Sequence, residues 1–315
     1  MTSREVHVVV ASDDIFSMPL TAAARSAVLR SADPSMVRVT VIDCGISARN
    51  RDRISRSLTV DGARVRIVPF THHVPDSALQ GGVIPSVATF ARLFTADYVP
   101  GADRAVYLDS DTIALTDVAA LVDLLEPGML VAGVVDGQGD GQVRNIERLV
   151  PLLPSTPGAI DSPYINAGVL VMDLAAWRSE RITERFGELV ATTPLRFADQ
   201  DAINVVCAGR VQTLPTGWNT QTHLLTSTTR SVLDGPEVDA RIVHYTSRPK
   251  PWHLHGDVGL AEPWFDAVDH TVWSGWRPTQ RRLLVPKLRR GWRMVRTRPG
   301  QLLAKYWPGG SRSGH

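Results

Sequence analysis

The residues best suited to carry chemistry are two aspartates, Asp109 and Asp111, which lie on either side of Ser110. They follow the apolar run Ala105–Leu108, a pattern typical of a strand buried on both faces. Two carboxylates at the end of a buried strand cannot both be desolvated as anions without a partner. A divalent cation is a suitable partner because it prefers oxygen ligands. A second interpretation stays open, in which the segment is a solvated turn and one aspartate caps a helix.

An alternation of strands and helices must position this segment. Strands are predicted at Val6–Ala11, Val37–Ile42, Val65–Pro69, Ala105–Leu108, Met129–Val135, Val169–Met172, Val211–Leu214 (an edge strand) and Arg241–Tyr245. Helices are predicted from about Pro19 to Ser31, after Ser47, over Ser86–Tyr98, Val118–Leu125 and Leu174–Val190, and from Asp199 to about Ala208, with long loops at Thr71–Pro85 and Thr216–Gly235. This order predicts a doubly wound α/β sheet with right-handed crossovers. Such sheets bind ligands at the carboxyl ends of their strands.

The composition is that of a soluble globular chain, with 315 residues of which 43% are hydrophobic and 21% charged. The length allows one large domain or two. Cys44 and Cys207 lie in apolar surroundings without metal-ligand spacing. We therefore predict buried, reduced thiols and a cytoplasmic protein. We expect neither a signal peptide nor a membrane-spanning helix, because no apolar run has the required length.

Seven short motifs support one another by their order. They are Ala-Ser-Asp-Asp at 11–14, Ile-Ser-Ala-Arg-Asn-Arg at 46–51, Ala-Arg-Leu at 91–93, Tyr-Leu-Asp-Ser-Asp at 107–111, Asn-Ala-Gly-Val-Leu at 166–170, Asp-Gln-Asp-Ala-Ile-Asn at 199–204, and His-Tyr with Lys-Pro-Trp between 244 and 252. In this order the chain resembles glycosyltransferase family 8 from Val6 to about Trp264. That family includes glycogenin and bacterial lipopolysaccharide galactosyl- and glucosyltransferases, and the nearest likeness is to the bacterial retaining α-galactosyltransferases. The resemblance implies a GT-A fold, with a Rossmann-like mixed central sheet flanked by helices.

The resemblance also implies a UDP-sugar donor and a Mn²⁺ ion, with Mg²⁺ as the alternative. The implied metal ligands are Asp109, Asp111 and His244. Two carboxylates and one imidazole suit Mn²⁺ better than an all-oxygen Mg²⁺ site. The implied nucleotide-binding residues are Ala11, Asp13, Phe16, Ser110, Ser247 and Lys250. Asp13 can accept the uracil N–H, Phe16 can stack on the ring, and Lys250 can place a charge at a phosphate.

The residues implied to bind the donor sugar are Arg92, Asp136, Asn166, Ala167, Asp199 and Gln200. Asp199 and Gln200 are also the implied catalytic residues. Without the family, Arg92 would be interpreted as a solvated charge. Because family members retain the anomeric configuration and an amide is a poor nucleophile, we favour a front-face substitution. The acceptor hydroxyl would attack on the face that UDP leaves, the leaving phosphate would take its proton, and the carbonyl oxygen of Gln200 would stabilise the cationic centre.

Several positions depart from the family pattern. Phe16 and Ile15 stand where Tyr and Asn are usual, so uridine would lose one or two hydrogen bonds of about 0.5–1.5 kcal/mol each. Ser247 replaces a glycine close to the diphosphate and adds a Cβ there. Phe197-Ala198 and Thr246 differ where relatives place acceptor-binding groups. We infer that the acceptor is not simply the lactose-like end bound by the nearest relatives.

The C-terminal segment is basic and aromatic, and no acidic residue follows Asp269. Its aromatic residues are Trp273, Trp276, Trp292, Tyr306 and Trp307, and its basic residues are Arg277, Arg281, Arg282, Lys287, Arg289, Arg290, Arg293, Arg296, Arg298 and Lys305. We predict a GT-A domain at 1–265 and a basic, helical extension at 266–315. Such a segment is typical of contact with an anionic membrane surface. Nucleic-acid binding would use the same charges but suits a sugar transferase less well, and a solvated tail is the other alternative.

These observations predict a Mn²⁺-dependent retaining hexosyltransferase. It would move galactose or glucose from a UDP-sugar to a glycan or lipid-linked acceptor, in the cytoplasm or peripherally on the inner face of the cell membrane. A sugar-nucleotide hydrolase or nucleotidyltransferase is the first alternative, although the sequence has no second carboxylate cluster and no Gly-rich phosphate loop for it. The second alternative is an inactive nucleotide-sugar-binding protein, which only Ser247 and Ile15 favour.

Overall fold

The computed structural model describes residues 5–81, 86–224, 239–246, 248–254 and 260–279. The described residues up to Pro251 and from Leu260 to Trp276 form one compact unit, which contains every described residue of the candidate site. Ser247 and the chain beyond Thr279 lie outside the described residues. The role of Ser247, the membrane contact of the tail and the domain boundary at residue 265 therefore stay predictions.

Ten strands and ten α-helices are present in the described part of the chain. The strands are β1 (Val6–Ser12), β2 (Val37–Asp43), β3 (Arg64–Pro69), β4 (Arg104–Leu108), β5 (Thr112–Ala114), β6 (Val131–Val135), β7 (Ile165–Asp173), β8 (Val211–Thr213), β9 (Thr220–Gln221) and β10 (Ile242–His244). The helices are α1 (Ser17–Arg30), α2 (Ala48–Leu58), α3 (Asp76–Gly81), α4 (Val87–Phe90), α5 (Thr95–Tyr98), α6 (Ala119–Val122), α7 (Leu174–Ser179), α8 (Ile182–Thr192), α9 (Ala198–Val206) and α10 (Ala261–Asp269). Short 3₁₀ turns connect several of them.

Seven strands form one mixed sheet in the order β3-β2-β1-β4-β7-β6-β8. Strand β7 runs antiparallel to β4 and to β6, and the other neighbouring strands are parallel. Alternate residues of β1 enter two different apolar clusters, since Val8 and Val10 share a cluster with residues of α1 and α2 while Val9 belongs to the cluster that includes residues of α7, α8 and α9. Helices thus cover both faces of the sheet. The predicted α/β architecture is confirmed, and β8 is an edge strand as expected.

A second, three-stranded sheet lies at the carboxyl end of β4. In it β10 pairs antiparallel with β5 and parallel with β9, and His244 lies opposite Thr112 and Gln221. The chain passes directly from β4 to β5 through residues 109–111. This three-residue connection therefore joins the two sheets, and it is the segment that carries the paired aspartates.

Both cysteines are free, as predicted, although Cys207 is buried and Cys44 only half-buried. Burial raises the pKa of each thiol to about 12, so both stay protonated near neutral pH. Within the described residues, no helix combines the length and apolar character needed to cross a bilayer.

Candidate active site

Hydrogen bonds with strand β7 and with Tyr245, which directly follows β10, fix the turn between β4 and β5. The backbone N–H of Asp109 donates to the carbonyl of Gly168 on β7 at 2.8 Å, and the N–H of Tyr245 donates to the carbonyl of Asp111 at 2.9 Å. The side chains of Asp109 and Asp111 are only 21% and 18% exposed. A simple solvated turn, the alternative that the sequence left open, is therefore wrong.

The three expected metal ligands converge. His244 Nε2 lies 3.2 Å from Asp111 Oδ1 and 3.8 Å from Asp109 Oδ2. One ligand atom from each residue falls within 4.8 Å of the others, so all three can contact one cation. His244 is 4% exposed and its backbone is held in β10, so its imidazole is buried beside this turn. Pairing of β10 with β5 explains the convergence of residues that are far apart in sequence.

Arg92 is buried behind the aspartates rather than solvated, with 5% of its surface exposed. Its guanidinium makes a bidentate contact with Asp109 at 2.6 and 3.2 Å and also binds Asp199 Oδ2 at 2.8 Å. It stacks over the ring of Tyr107 at 4.8 Å and donates to the carbonyl of Ala167 at 2.5 Å. Burial alone would lower the pKa of Arg92, but Asp109 and Asp199 outweigh it and raise the pKa above its usual range. Arg92 therefore stays charged and orients both carboxylates.

The two carboxylates nearest Arg92 differ from Asp111 in their electrostatics. Burial raises the pKa of Asp109, and it raises the pKa of Asp199 to about 6 although Arg92 opposes the shift. Burial acts on Asp111 in the same direction, but His244 and Lys250 outweigh it and hold the pKa of Asp111 below its usual range. Asp111 is thus the most strongly ionised of the three near neutral pH.

Lys250 contacts the metal-ligand cluster directly. Its Nζ lies 2.5 Å from Asp111 Oδ2 and donates to the carbonyl of Tyr245. Lys250, which was expected to bind a phosphate, therefore lies beside Asp111, one of the expected metal ligands. Asp111 is thus paired with a cationic side chain as well as with His244.

An irregularity in strand β7 brings its residues 166–168 into the site. The pairing of β6 with β7 shifts between Gly133, which faces Leu170, and Val135, which faces Ile165. Residues between these pairs have no partner on β6 and can turn toward the turn at 109–111. Gly168 lies so close to the metal-ligand cluster that a Cβ there would be 2.1 Å from His244 Cε1 and 2.9 Å from Asp109 Oδ2. Only glycine fits this position.

Asn166 connects the donor-sugar candidates to one another. Its Nδ2 donates to Asp136 Oδ2 at 3.2 Å and to Gln200 Oε1 at 3.1 Å. The same Gln200 oxygen accepts the backbone N–H of Ala167 at 3.2 Å. Gln200 and Asp199 are in the first turn of α9, whose N-terminal end points at the site. The two N–H groups fix the amide of Gln200 with its oxygen toward β7.

A cavity of about 1050 Å³ contains the whole constellation. Its lining includes every expected nucleotide, metal and sugar residue that the structure describes, namely Ala11, Asp13, Phe16, Arg92, Asp109, Ser110, Asp111, Asp136, Asn166, Ala167, Asp199, Gln200, His244 and Lys250. Ser247 lies outside the described residues. A space of this size at the carboxyl ends of β1 and β4 can hold a ligand larger than a monosaccharide.

The expected uridine end of the cavity is formed where β1 ends. Ser110 Oγ donates to the carbonyl of Ala11 at 3.0 Å. Asp13 Oδ1 accepts the backbone N–H groups of Ile15 and Phe16 at 3.0 and 3.2 Å, which turns the chain. Phe16 lines the cavity and is 39% exposed, whereas the Ile15 side chain is 76% exposed and outside the lining. Phe16 is thus placed where it can stack on a base.

Sequence reasoning missed several polar residues of the site. Gln138, Arg196 and His223 line the cavity, and Asn219 lies behind it against His244. His223 Nδ1 contacts Thr246 Oγ1 at 2.6 Å, and burial lowers the pKa of His223. No local signal marked these residues, because three of them belong to connections without a periodic pattern. Asn219 could have been found only from the pairing of β9 with β10.

The residues present fit a divalent cation. Two carboxylates and an imidazole nitrogen form a mixed oxygen and nitrogen donor set of the kind that Mn²⁺ accepts. The absence of a side chain at Gly168 leaves room for His244 to face the aspartates. These ligands would hold the ion in the cavity that they line.

Comparison with known proteins agrees with this geometry. The family model described as glycosyl transferase family 8 matches residues 7–256. General stress protein A of Bacillus subtilis is 25% identical over 282 residues, which are 85% of this chain and 95% of that protein. The lipopolysaccharide 1,3-galactosyltransferase of Salmonella typhimurium is 28% identical over 193 residues, which are 59% of this chain and 56% of that enzyme. The match thus spans little more than half of the lipopolysaccharide enzyme.

Solved structures show the same fold. The galactosyltransferase LgtC, in complex with donor and acceptor sugar analogues, superposes with a TM-score of 0.68 at 23% identity, covering 85% of this chain and 96% of that chain. The glycosyltransferase GlyE of Streptococcus pneumoniae superposes with a TM-score of 0.63 at 22% identity, covering 84% of this chain and 60% of that chain. The expected GT-A fold is confirmed.

Proposed function

Since the chain belongs to glycosyltransferase family 8, we propose that it is a retaining hexosyltransferase using a UDP-sugar donor. The sugar moved is galactose or glucose, and the acceptor is a glycan or a lipid-linked sugar. The ion is Mn²⁺, with Mg²⁺ as the alternative. The names of relatives such as the Salmonella lipopolysaccharide 1,3-galactosyltransferase support this choice of donor and acceptor class.

The observation that carries the proposal is the convergence of a cation site and a sugar-sized polar pocket in one cavity. Asp109, Asp111 and His244 line it together, and Asp199 and Gln200 of α9 line the same cavity. A cation held there would neutralise the charge that develops on a departing diphosphate.

Each residue has a distinct task in this proposal. Arg92 holds Asp109 and Asp199 in place through its ion pairs. Asp136 and Asp199 accept hydrogen bonds from sugar hydroxyls, which distinguishes one epimer from another. Lys250 contacts Asp111 and lines the same cavity, so its ammonium group would be available to a phosphate if a cation held Asp111.

The environment of Gln200 supports a front-face substitution over a double displacement. Its Oε1 already accepts N–H groups from Asn166 and Ala167, which makes a poor nucleophile poorer still. The fixed carbonyl dipole can stabilise a developing positive charge without forming a bond. The acceptor hydroxyl would then attack from the face that UDP leaves, and a phosphate oxygen would take its proton. Mass spectrometry that finds a sugar covalently attached to Gln200 or Asp199 during turnover would contradict this route.

The function is tested by measuring UDP release from a panel of UDP-sugars with and without candidate acceptors. We expect release from UDP-galactose or UDP-glucose that requires an acceptor and Mn²⁺, and its loss in EDTA with recovery on adding Mn²⁺ back. Because the ion neutralises the leaving group, removal should lower the rate by at least about 100-fold. Release without acceptor would indicate a hydrolase, and binding without release would indicate an inactive protein.

We further propose that the basic extension at 266–315 places the enzyme at the inner face of the membrane, near a lipid-linked acceptor. Its arginines and tryptophans support this, and each basic residue near an anionic leaflet contributes about 1 kcal/mol. In a flotation assay the full chain should float with anionic vesicles at low salt and stay behind at high salt. Neutral vesicles are the control, and a variant with Arg289, Arg290 and Arg293 changed to alanine should float less. Equal flotation with neutral vesicles, or none at all, would contradict the idea.

A further inference from the structure

We propose that Asn219 is the positioning residue that presents His244 to the cation, by fixing which ring nitrogen carries the proton. The inference rests on the proposed metal site and assigns a role to a residue that contacts neither the ion nor a substrate. Asn219 is 2% exposed and lies at the end of a 3₁₀ turn immediately before β9. Since β9 pairs with β10, Asn219 is held beside His244 by the backbone of the second sheet.

Asn219 uses both ends of its amide. Its Oδ1 lies 2.9 Å from His244 Nδ1, and its Nδ2 donates to Asn166 Oδ1 at 2.9 Å. The Asn166 oxygen also accepts the backbone N–H of Gly168 at 3.0 Å. On its other side Asn166 donates to Gln200, whose oxygen accepts the backbone N–H of Ala167. His244, Asn219, Asn166 and Gln200 thus form one hydrogen-bonded series, here called the amide chain.

Backbone groups fix the direction of every bond in the amide chain. An N–H of the backbone can only donate, so Gly168 requires the oxygen of Asn166 to point toward it. The oxygen of Asn166 then requires the amino group of Asn219, which leaves the oxygen of Asn219 facing His244. That oxygen can only accept, so Nδ1 of His244 must carry a proton. With this proton held at Nδ1, Nε2, which faces Asp109 and Asp111, is the nitrogen that would offer its lone pair to a bound cation.

The same series joins the cation site to the sugar pocket. Asn166 contacts Asp136 and Gln200 on one side and Asn219 on the other, and it is 9% exposed. Loss of Asn219 would leave His244 Nδ1 and Asn166 Oδ1 each short of a partner in a buried place. The imidazole would then be free to rotate or to exchange its proton between nitrogens. Partners of this kind typically alter metal affinity by about 10- to 100-fold when removed.

The test is a Mn²⁺ titration of the full chain at saturating UDP, followed by electron paramagnetic resonance, for three variants. Asn219→Ala should weaken Mn²⁺ binding by about 10- to 100-fold. Asn219→Asp should lose less affinity than Asn219→Ala, because a carboxylate oxygen still accepts the Nδ1 proton although it cannot donate to Asn166. Asn204→Ala is the matched control. Asn204 is equally buried and bonds Ile165 and Gln200 but not His244, so it should lower the melting temperature without changing Mn²⁺ affinity.

The outcomes separate this inference from the proposed function. If the wild type binds no Mn²⁺ in a manner that depends on Asp111, the proposed metal site itself fails. If the wild type binds and Asn219→Ala binds equally well, or if Asn204→Ala weakens binding as much as Asn219→Ala does, the role of Asn219 is overturned. Nitrogen-15 NMR of histidine in the wild-type complex with Mg²⁺ and UDP gives an independent result. We expect His244 to be protonated at Nδ1 and not at Nε2, and the reverse would overturn the inference even if a variant fails to fold.

Discussion

Replacing His244 with alanine is expected to lower kcat/KM by about 100- to 1000-fold while the protein stays folded. The imidazole is the third member of the cluster with Asp109 and Asp111, and its Nε2 lies 3.2 Å from Asp111. Without it, two carboxylates must hold the ion, so the charge on the departing diphosphate is less well neutralised. UDP release at fixed UDP-sugar, acceptor and Mn²⁺ measures the loss. Raising the Mn²⁺ concentration should restore part of the activity.

His270→Ala is the matched control for this prediction. His270 is an exposed histidine just after α10, where its Nδ1 contacts the carbonyl of Asp266, and it does not line the cavity. Its removal should leave both the activity and the Mn²⁺ dependence unchanged. If His244→Ala keeps the wild-type rate at the same Mn²⁺ concentration, the assignment of His244 as a metal ligand is wrong.

The central strands could be predicted because strands that are buried on both faces appear in the sequence as continuous apolar runs. Val8, Val9 and Val10 of β1 and Val106 and Leu108 of β4 are all fully buried. A strand covered on both faces needs no alternation, so the sequence shows it as a block. Helices that are short or interrupted were harder to predict from the sequence. Ser86–Tyr98 was expected as one helix, but it is α4, a 3₁₀ turn over Ala91–Phe94 and then α5.

The 3₁₀ turn in that segment contains Arg92, and tertiary contacts decide its shape. The guanidinium donates to Thr89 and pairs with Asp109 and Asp199, so the backbone is held where these bonds can form. Local pattern cannot reveal a partner that is far away in sequence. For the same reason helix α3, Asp76–Gly81, was hidden inside the predicted loop.

The residues of the candidate site also differ in whether local sequence could identify them. Asp109 and Asp111 could be singled out from the chemistry of two acids after a buried run, without any family. His244 and Lys250 entered only through the order of seven motifs. Asn219 and the hydrogen bonds that join the amide chain entered through neither, because they depend on the pairing of β9 with β10 and on the shift in pairing between β6 and β7. A residue whose role depends only on its position in the folded chain, such as Asn219, cannot be identified from the residues next to it in sequence.

Gly168 belongs to one of the seven motifs, and Gly168→Ala should reduce activity and Mn²⁺ affinity about as much as His244→Ala does. The new methyl group would lie 2.1 Å from His244 Cε1, 2.7 Å from Nδ1 and 2.9 Å from Asp109 Oδ2. Real Cβ atoms do not approach other atoms so closely, so either the imidazole or the turn must move. Moving the imidazole breaks its bond to Asn219 and withdraws Nε2 from the aspartates. We therefore expect a loss of about 100-fold or more in kcat/KM, although glycine itself offers no ligand.

Gly187→Ala separates this steric effect from a general effect of losing a glycine. Gly187 lies inside α8, and a Cβ there would meet nothing within 4 Å. Alanine should leave activity unchanged and stabilise the protein by about 0.5–1 kcal/mol, because glycine weakens a helix interior. The two variants add the same single methyl group, so kinetic assays and Mn²⁺ titrations of both compare a crowded methyl group at the site with an uncrowded one in α8. Wild-type Mn²⁺ affinity in Gly168→Ala would show that His244 does not need this space, and the proposed ligand set would then have to exclude it.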